Sequence, residues 1–140
     1  MTENLIRLSD PDISKAELEM VEAALCSPRL SQGALVEAFE DIFAAWMGRK
    51  CAVAVSGSTL ALWLCLQAKG IGADSEVVAS AHSWHQIARG ISLAGATPVF
   101  ADIDYWAGTL AAEKAGGKIT ERTKAILAGN TNGHPADWRS

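Results

Sequence analysis

At 140 residues the chain is long enough to bury one core, and 49% hydrophobic with 20% charged residues is a globular composition rather than a disordered one. The formal net charge of -4, with Lys and Arg scattered and no basic run interleaved with aromatics, gives no argument for a nucleic-acid partner. No apolar run approaches membrane-spanning length and the opening MTENLIRLSDPD has no signal-peptide core; three widely spaced cysteines (Cys26, Cys51, Cys65), the last two read as small core residues, point to a reducing cytoplasm.

Asp10-Pro11-Asp12 breaks the chain before its first element. Ser14 with Glu17 three residues later is a capping box, and Leu18, Val21, Ala24 and Leu25 make one apolar stripe, so a helix is predicted over 14–26. The polar loop SPRLSQG closes on Gly33. A second helix is predicted over 34–47, with Leu35, Phe39, Ile42, Phe43 and Trp46 on one face and Gly48 ending it. Residues 1–50 therefore read as an N-terminal helical segment.

From residue 51 onward strands and helices alternate. The β-branched run 51–55 reads as a buried strand, followed by a helix over 59–69, a strand at 76–79, a helix over 84–93, a turn at Gly95 and a strand at 97–101. A less regular stretch, Tyr105–Gly117, precedes a last strand at 124–128. This alternation predicts an α/β fold, a mostly parallel sheet with helices on both faces. No closing helix follows the last strand, so its edge is expected to be covered by further polypeptide or by a partner chain.

Ligands of such sheets bind at the carboxyl ends of the strands, which places Ser56–Thr59, Ser80–Trp84, Asp102–Asp104 and Gly129–Asn132 on one rim. Ser56-Gly57-Ser58-Thr59, between a strand and a helix, has the makings of an anion cradle. The first helical N–H groups have no partner, the dipole favours negative charge, and hydroxyls add donors. The same residues could be an ordinary N-cap. His82 and His85 form an His-x-x-His pair without an evident third ligand, so no metal is expected. Asp102 and Asp104 read as turn formers rather than an acid–base pair.

Several motifs in order carry a resemblance: Ile6-Arg7-Leu8-Ser9, Leu30-Ser31-Gln32-Gly33, Ala52-Val53-Ala54-Val55, Gly70-Ile71-Gly72, and Gly95-Ala96-Thr97-Pro98-Val99-Phe100 with Asp102-Ile103-Asp104. Arg122-Thr123-Lys124-Ala125-Ile126 and Gly133-His134-Pro135-Ala136-Asp137 complete the set. Together they resemble the N-terminal part of the DegT-type sugar aminotransferases, pyridoxal-phosphate enzymes of fold type I, over essentially the whole chain. Residues 51–140 then correspond to the first part of the cofactor-binding α/β domain.

The resemblance implies pyridoxal 5'-phosphate as cofactor, held by Gly57, Ser58, Thr59 and Trp84, with no metal. Ser58 stands where the family usually has Gly, which its backbone N–H tolerates as long as its φ is not positive. Trp84 falls on the aromatic that stacks against the pyridine ring. Ser31 and Gln32 fall in a loop that approaches the active site, and Asn130 replaces a strand-end His. The family's Schiff-base lysine and the aspartate that pairs with the pyridine nitrogen lie downstream of the position equivalent to Ser140, so no catalytic residue is assigned here. The implied function is a share in transfer of an amino group from an amino acid to a keto acceptor, often a nucleotide-linked keto sugar. The chain would be inactive alone, a small subunit of a split enzyme or a fragment, completed by a C-terminal chain or segment in a dimer or hetero-oligomer. Alternatives are a dehydratase or aromatising enzyme on the same scaffold, and a non-catalytic structural or regulatory subunit.

Overall fold

A computed structural model describes residues 9–139; Ile6, Arg7 and Leu8, which open the first of the motifs, lie outside the described residues. The chain divides into two units, Met1–Ala54 and Val55–Ser140.

The first unit holds α1 (Lys15–Leu25) and α2 (Ala34–Trp46). The capping box forms as expected: the Ser14 backbone N–H donates to Glu17 Oε2 at 2.7 Å, and the Ser14 hydroxyl oxygen accepts from the Ala16 N–H at 3.2 Å. The Ser14 hydroxyl also donates to the Glu17 carboxylate, and this bond, with the backbone N–H groups, holds the Glu17 carboxyl below its ordinary range. On α2, Phe39 and Phe43 lie 5.8 Å apart between ring centroids and Phe43 and Trp46 5.9 Å, so the predicted apolar stripe is a real aromatic row. The chain leaves α2 through Gly48 at φ 61°, a left-handed conformation that glycine adopts without a Cβ penalty.

The expected strand at 51–55 has no ladder partner among the described residues. A β-branched run favours extended backbone, but a strand requires a neighbouring strand to receive its hydrogen bonds. Here the Ala54 N–H donates to Glu40 Oε1 at 2.6 Å, and Val53 remains 76% exposed. Cys51 and Cys65 are exposed as well, against the expectation that they fill the core.

The second unit comprises α3 (Ser58–Ala68), β1 (Glu76–Ser80), α4 (His85–Leu93), β2 (Thr97–Ala101), α5 (Ala112–Gly116) and β3 (Thr123–Leu127). The three strands make a parallel sheet in the order β2-β1-β3. All five residues of β1 are buried, the signature of a central parallel strand covered on both faces. Side chains alternate across it. Val77 and Ala79 pack with Leu66, Ile91, Ala94 and Ala96 on one face, while Val78 packs with Ala101, Leu110 and Ala115 on the other. The crossover through α4 therefore lies on one face and the crossover containing α5 on the opposite one. That is how right-handed connections carry the chain first to one side of β1 and then to the other.

Two contacts fix this arrangement. Gly90 of α4 abuts Leu62 of α3 so closely that a Cβ there would lie 2.8 Å from Leu62 Cδ2, and any larger residue would have to displace the leucine side chain. At the amino end of the sheet, the buried Glu76 carboxylate accepts from the Thr120 hydroxyl at 2.5 Å and pairs with Arg122, joining β1 to the lead-in of β3. No helix among the described residues is long and apolar enough to cross a membrane.

Candidate functional site

A cleft of about 560 Å³ opens beyond the carboxyl ends of β1 and β3. Its walls come from three places: Ser58 at the start of α3, Ser80 to Ile87 after β1, and Leu127 to Asn132 after β3. β1 feeds the crossover through α4 on one face and β3 receives the crossover containing α5 on the other, and the carboxyl ends of such strands are where ligands of open parallel sheets bind.

Each wall is built locally. Ser80, buried at the end of β1, uses its hydroxyl as a clamp: it donates to the His82 carbonyl at 3.1 Å and accepts the His82 N–H at 3.2 Å. The Ser83 hydroxyl donates back to the Ser80 carbonyl at 3.0 Å. These bonds close the turn and deliver Trp84 to the N-cap position of α4, in extended conformation with φ -61° and ψ 138°. Its indole is 76% exposed and edges the cleft. A flat, open aromatic face at a strand end is a stacking platform for a flat ligand.

The opposite wall begins with an open helix terminus. Gly57 is the N-cap of α3, and no side chain caps it. The alternative of an ordinary hydroxyl cap at Ser56–Thr59 is therefore overturned: glycine occupies the cap and the hydroxyls make no capping bond. The first turn carries no acidic residue, and a Cβ on Gly57 would meet nothing within 4 Å. The donors of the first turn therefore have no side-chain cap, the condition under which a helix terminus can receive an anion. Asp74 and Asn132 are the non-glycine residues with positive φ among those described, so Ser58 is unstrained and keeps its N–H available. Ser58 lines the cleft; Gly57 and half-buried Thr59 flank it without lining it.

The third wall is the turn after β3. Asn130 accepts the Ala136 N–H on its Oδ1 at 3.0 Å, which folds the segment back over a short 3-10 turn at Thr131–Gly133. Asn132 sits there with φ 52° and ψ 30°, tolerable for Asn because its short side chain suits the left-handed region. Thr131 and Asn132 also edge an adjoining hollow of about 390 Å³ shared with His82, Ser83, Trp84 and His85.

Of the rim segments expected from sequence, three meet in the cleft. The fourth does not: Asp102 accepts the Ile103 N–H at 2.9 Å, while Asp104 accepts those of Trp106 at 2.9 Å and Ala107 at 2.8 Å. Both carboxylates thus serve turns. His82 donates from Nδ1 to the Gly108 carbonyl at 3.3 Å. Ser31 and Gln32 belong to the first unit. Gln86 and Ile87 also line the cleft and were not foreseen; in an amphipathic helix one amide carries no signal of its own. The combination suits a ligand with an anionic tail and a flat ring.

Comparison with known proteins gives this geometry a context. The chain is 43% identical over 127 residues to the spore coat polysaccharide biosynthesis protein SpsC of Bacillus subtilis, covering 91% of this chain and 33% of that one. It superimposes on Spr1654 from Streptococcus pneumoniae, assigned as a sugar aminotransferase, in its PMP form with a TM-score of 0.85 at 29% identity, over 94% of this chain and 33% of that one. The same protein in its PLP form gives a TM-score of 0.78 at 30% identity, over 86% of this chain and 31% of that one. The crystal structure of 3-amino-5-hydroxybenzoic acid synthase gives a TM-score of 0.82 at 32% identity, over 91% of this chain and 34% of that one. The chain thus spans about a third of the length of these relatives. Residues 11–140 match the DegT/DnrJ/EryC1/StrS aminotransferase family, and the chain belongs to it.

Proposed function

We propose that this chain provides the phosphate anchor and the ring-stacking face for pyridoxal 5'-phosphate in an aminotransferase acting on a keto sugar. The observation that carries the reading is that Ser58, at an uncapped helix terminus, and the open indole of Trp84 line one cleft at the strand ends. The family and the PLP and PMP forms of Spr1654 support the choice of cofactor, and the name of SpsC supports a sugar substrate.

The bound cofactor supplies the electron sink through which nitrogen passes from an amino-acid donor to a keto acceptor. The chain's own residues bind and orient. Backbone N–H groups of the first turn of α3, at Ser58 and Thr59, would hold the phosphate dianion, helped by the helix dipole. Trp84 holds the ring flat, a contribution of about 0.5–1.5 kcal/mol beyond buried area. Ile87, Leu127 and Ala128 line the cleft and would shield a bound ring from water. The lysine that joins the cofactor and the aspartate that pairs with its nitrogen belong, in this reading, to a further segment or partner chain, in a dimer or hetero-oligomer.

The test is titration of the complete protein with pyridoxal phosphate, followed by absorbance, with inorganic phosphate as competitor. Ser58→Asp sets a negative charge in the cradle and should weaken cofactor binding about tenfold or more, since roughly 1–2 kcal/mol of favourable helix-terminus interaction turns repulsive. An unchanged affinity would remove the phosphate assignment. A second reading, an aromatising or dehydrating enzyme on the same scaffold, draws on the likeness to 3-amino-5-hydroxybenzoic acid synthase. Product analysis separates the two, an aminated sugar against an aromatic acid.

A further inference from the structure

Gln86 lies in the first turn of α4, two residues after Trp84, and lines the same cleft. Its Oε1 is buried without a hydrogen-bond partner, the one side-chain nitrogen or oxygen in that state among the described residues. Native proteins seldom leave a buried carbonyl oxygen unpaired, because it has given up water and received nothing in exchange.

The hydroxyl groups nearest in sequence cannot relieve it. Ser80 and Ser83 each own a single hydroxyl hydrogen, and both are already committed, to the carbonyls of His82 and Ser80. The amide is uncharged and sits on a rotatable stem, so a donor arriving in the cleft can be met by a turn about its last bond. Ser58, Thr131 and Asn132, also on the cleft wall, carry side-chain donors, but none of them is bonded to this oxygen, and Leu127, Ala128 and Ile87 offer no side-chain donor.

We propose that Gln86 is a cofactor-contacting residue whose Oε1 accepts a hydrogen bond from the hydroxyl group of the pyridine ring or from the amine that the ring carries in its aminated form. The inference rests on the reading of the cleft as a pyridoxal-phosphate site. It adds a contact that neither the phosphate cradle nor the stacking face supplies. Where the donor is the amine, this neutral acceptor distinguishes ring forms, because the aldehyde form lacks the amine hydrogens.

The experiment uses the complete protein, freed of cofactor, as wild type and as Gln86→Met and Gln86→Glu. Each is titrated separately with pyridoxamine phosphate, pyridoxal phosphate and inorganic phosphate. Met keeps the length and removes the acceptor; Glu keeps an acceptor and adds charge. We expect Gln86→Met to bind pyridoxamine phosphate about two- to tenfold more weakly, the range for one hydrogen bond, with inorganic phosphate unchanged. Gln86→Glu should restore or tighten that binding. An equal loss for pyridoxal phosphate supports the contact and places the donor on the ring common to both forms. A loss confined to pyridoxamine phosphate supports it and places the donor on the amine. Affinities for both cofactor forms within experimental error of wild type overturn the inference alone, and a parallel loss for inorganic phosphate overturns it in favour of a purely structural role. A wild-type protein that binds neither cofactor form sinks the site reading itself, which keeps the two failures apart.

Discussion

Replacing Gly90 with Ala is the sharpest test of how this sheet positions its cleft. An added Cβ would stand 2.8 Å from Leu62 Cδ2, 3.0 Å from Cγ and 3.2 Å from Cβ. Rotating the Leu62 side chain relieves the first of these distances but not the last, so α3 and α4 must part slightly. Overpacking of this kind costs about 1–3 kcal/mol, from which the better helix propensity of Ala returns about 0.5–1, leaving a net loss of up to about 2.5 kcal/mol. Thermal unfolding of the complete protein measures the loss, and hydrogen exchange along α3 and α4 localises it. The wedge sits between the helix that begins at Ser58 and the helix that begins after Trp84, so cofactor affinity should fall with stability. Leu62→Ala in the Gly90→Ala background makes room again, and the double variant should be more stable than the sum of the two single losses by about 1 kcal/mol. If Gly90→Ala instead stabilises the protein, as it would at an open helical position, and the two changes add, the close packing of α3 on α4 is wrong.

Trp84→Ala should weaken pyridoxal-phosphate binding about threefold to tenfold by absorbance titration, the equivalent of one lost ring stack, while Trp84→Phe retains most of the affinity. Arg122→Ala strands a carboxylate whose side chain is only 7% exposed, although the arginine itself is 66% exposed. The cost should be about 1–3 kcal/mol in unfolding experiments, between the limits for exposed and fully buried pairs, with partial recovery in Arg122→Lys. Glu17 has its carboxyl held low by Ser14, so its contribution to α1 is complete above the ordinary carboxyl range and disappears as pH falls through the lowered value. Hydrogen exchange in the first turn of α1 should accelerate across that acid window in the wild type and lose this pH dependence in Glu17→Gln.

The elements most legible in the sequence were those with local causes. The capping box at Ser14 and Glu17 started α1 where expected, and Gly48 followed the end of α2. Strands β1, β2 and β3 were placed within a residue at each end, because each is a short apolar run between polar turns. The strand expected at 51–55 shows the limit of that logic. CAVAV has the composition of a strand, yet pairing is decided by distant neighbours, and composition cannot name them. The same limit explains the cysteines. Cys65 lies in a helix that is apolar on every side, and only the packing of Leu62, Trp63 and Leu66 against the second unit's core identifies its inward face.

The cleft was legible for a different reason. A parallel sheet sends every strand toward the same rim, so any small hydroxyl-rich turn at a strand's carboxyl end is brought near the others once the order of elements is known. Ser80–Trp84 and Gly129–Asn132 met there as expected, joined by Ser58. What sequence alone could not settle was whether the turn at Ser56–Thr59 caps its own helix or leaves the terminus open, since both uses call for the same residues. The backbone decides it. Gly57, not a hydroxyl residue, occupies the cap, and a side chain that might have consumed the first-turn donors is absent from that position. Gln86 was illegible for the opposite reason: what sets it apart is an unpaired atom, and pairing is a property of three-dimensional neighbours rather than of spacing. The residues that announce a fold are therefore those whose partners are close in sequence, and the residues that complete a site are those whose partners arrive with the ligand.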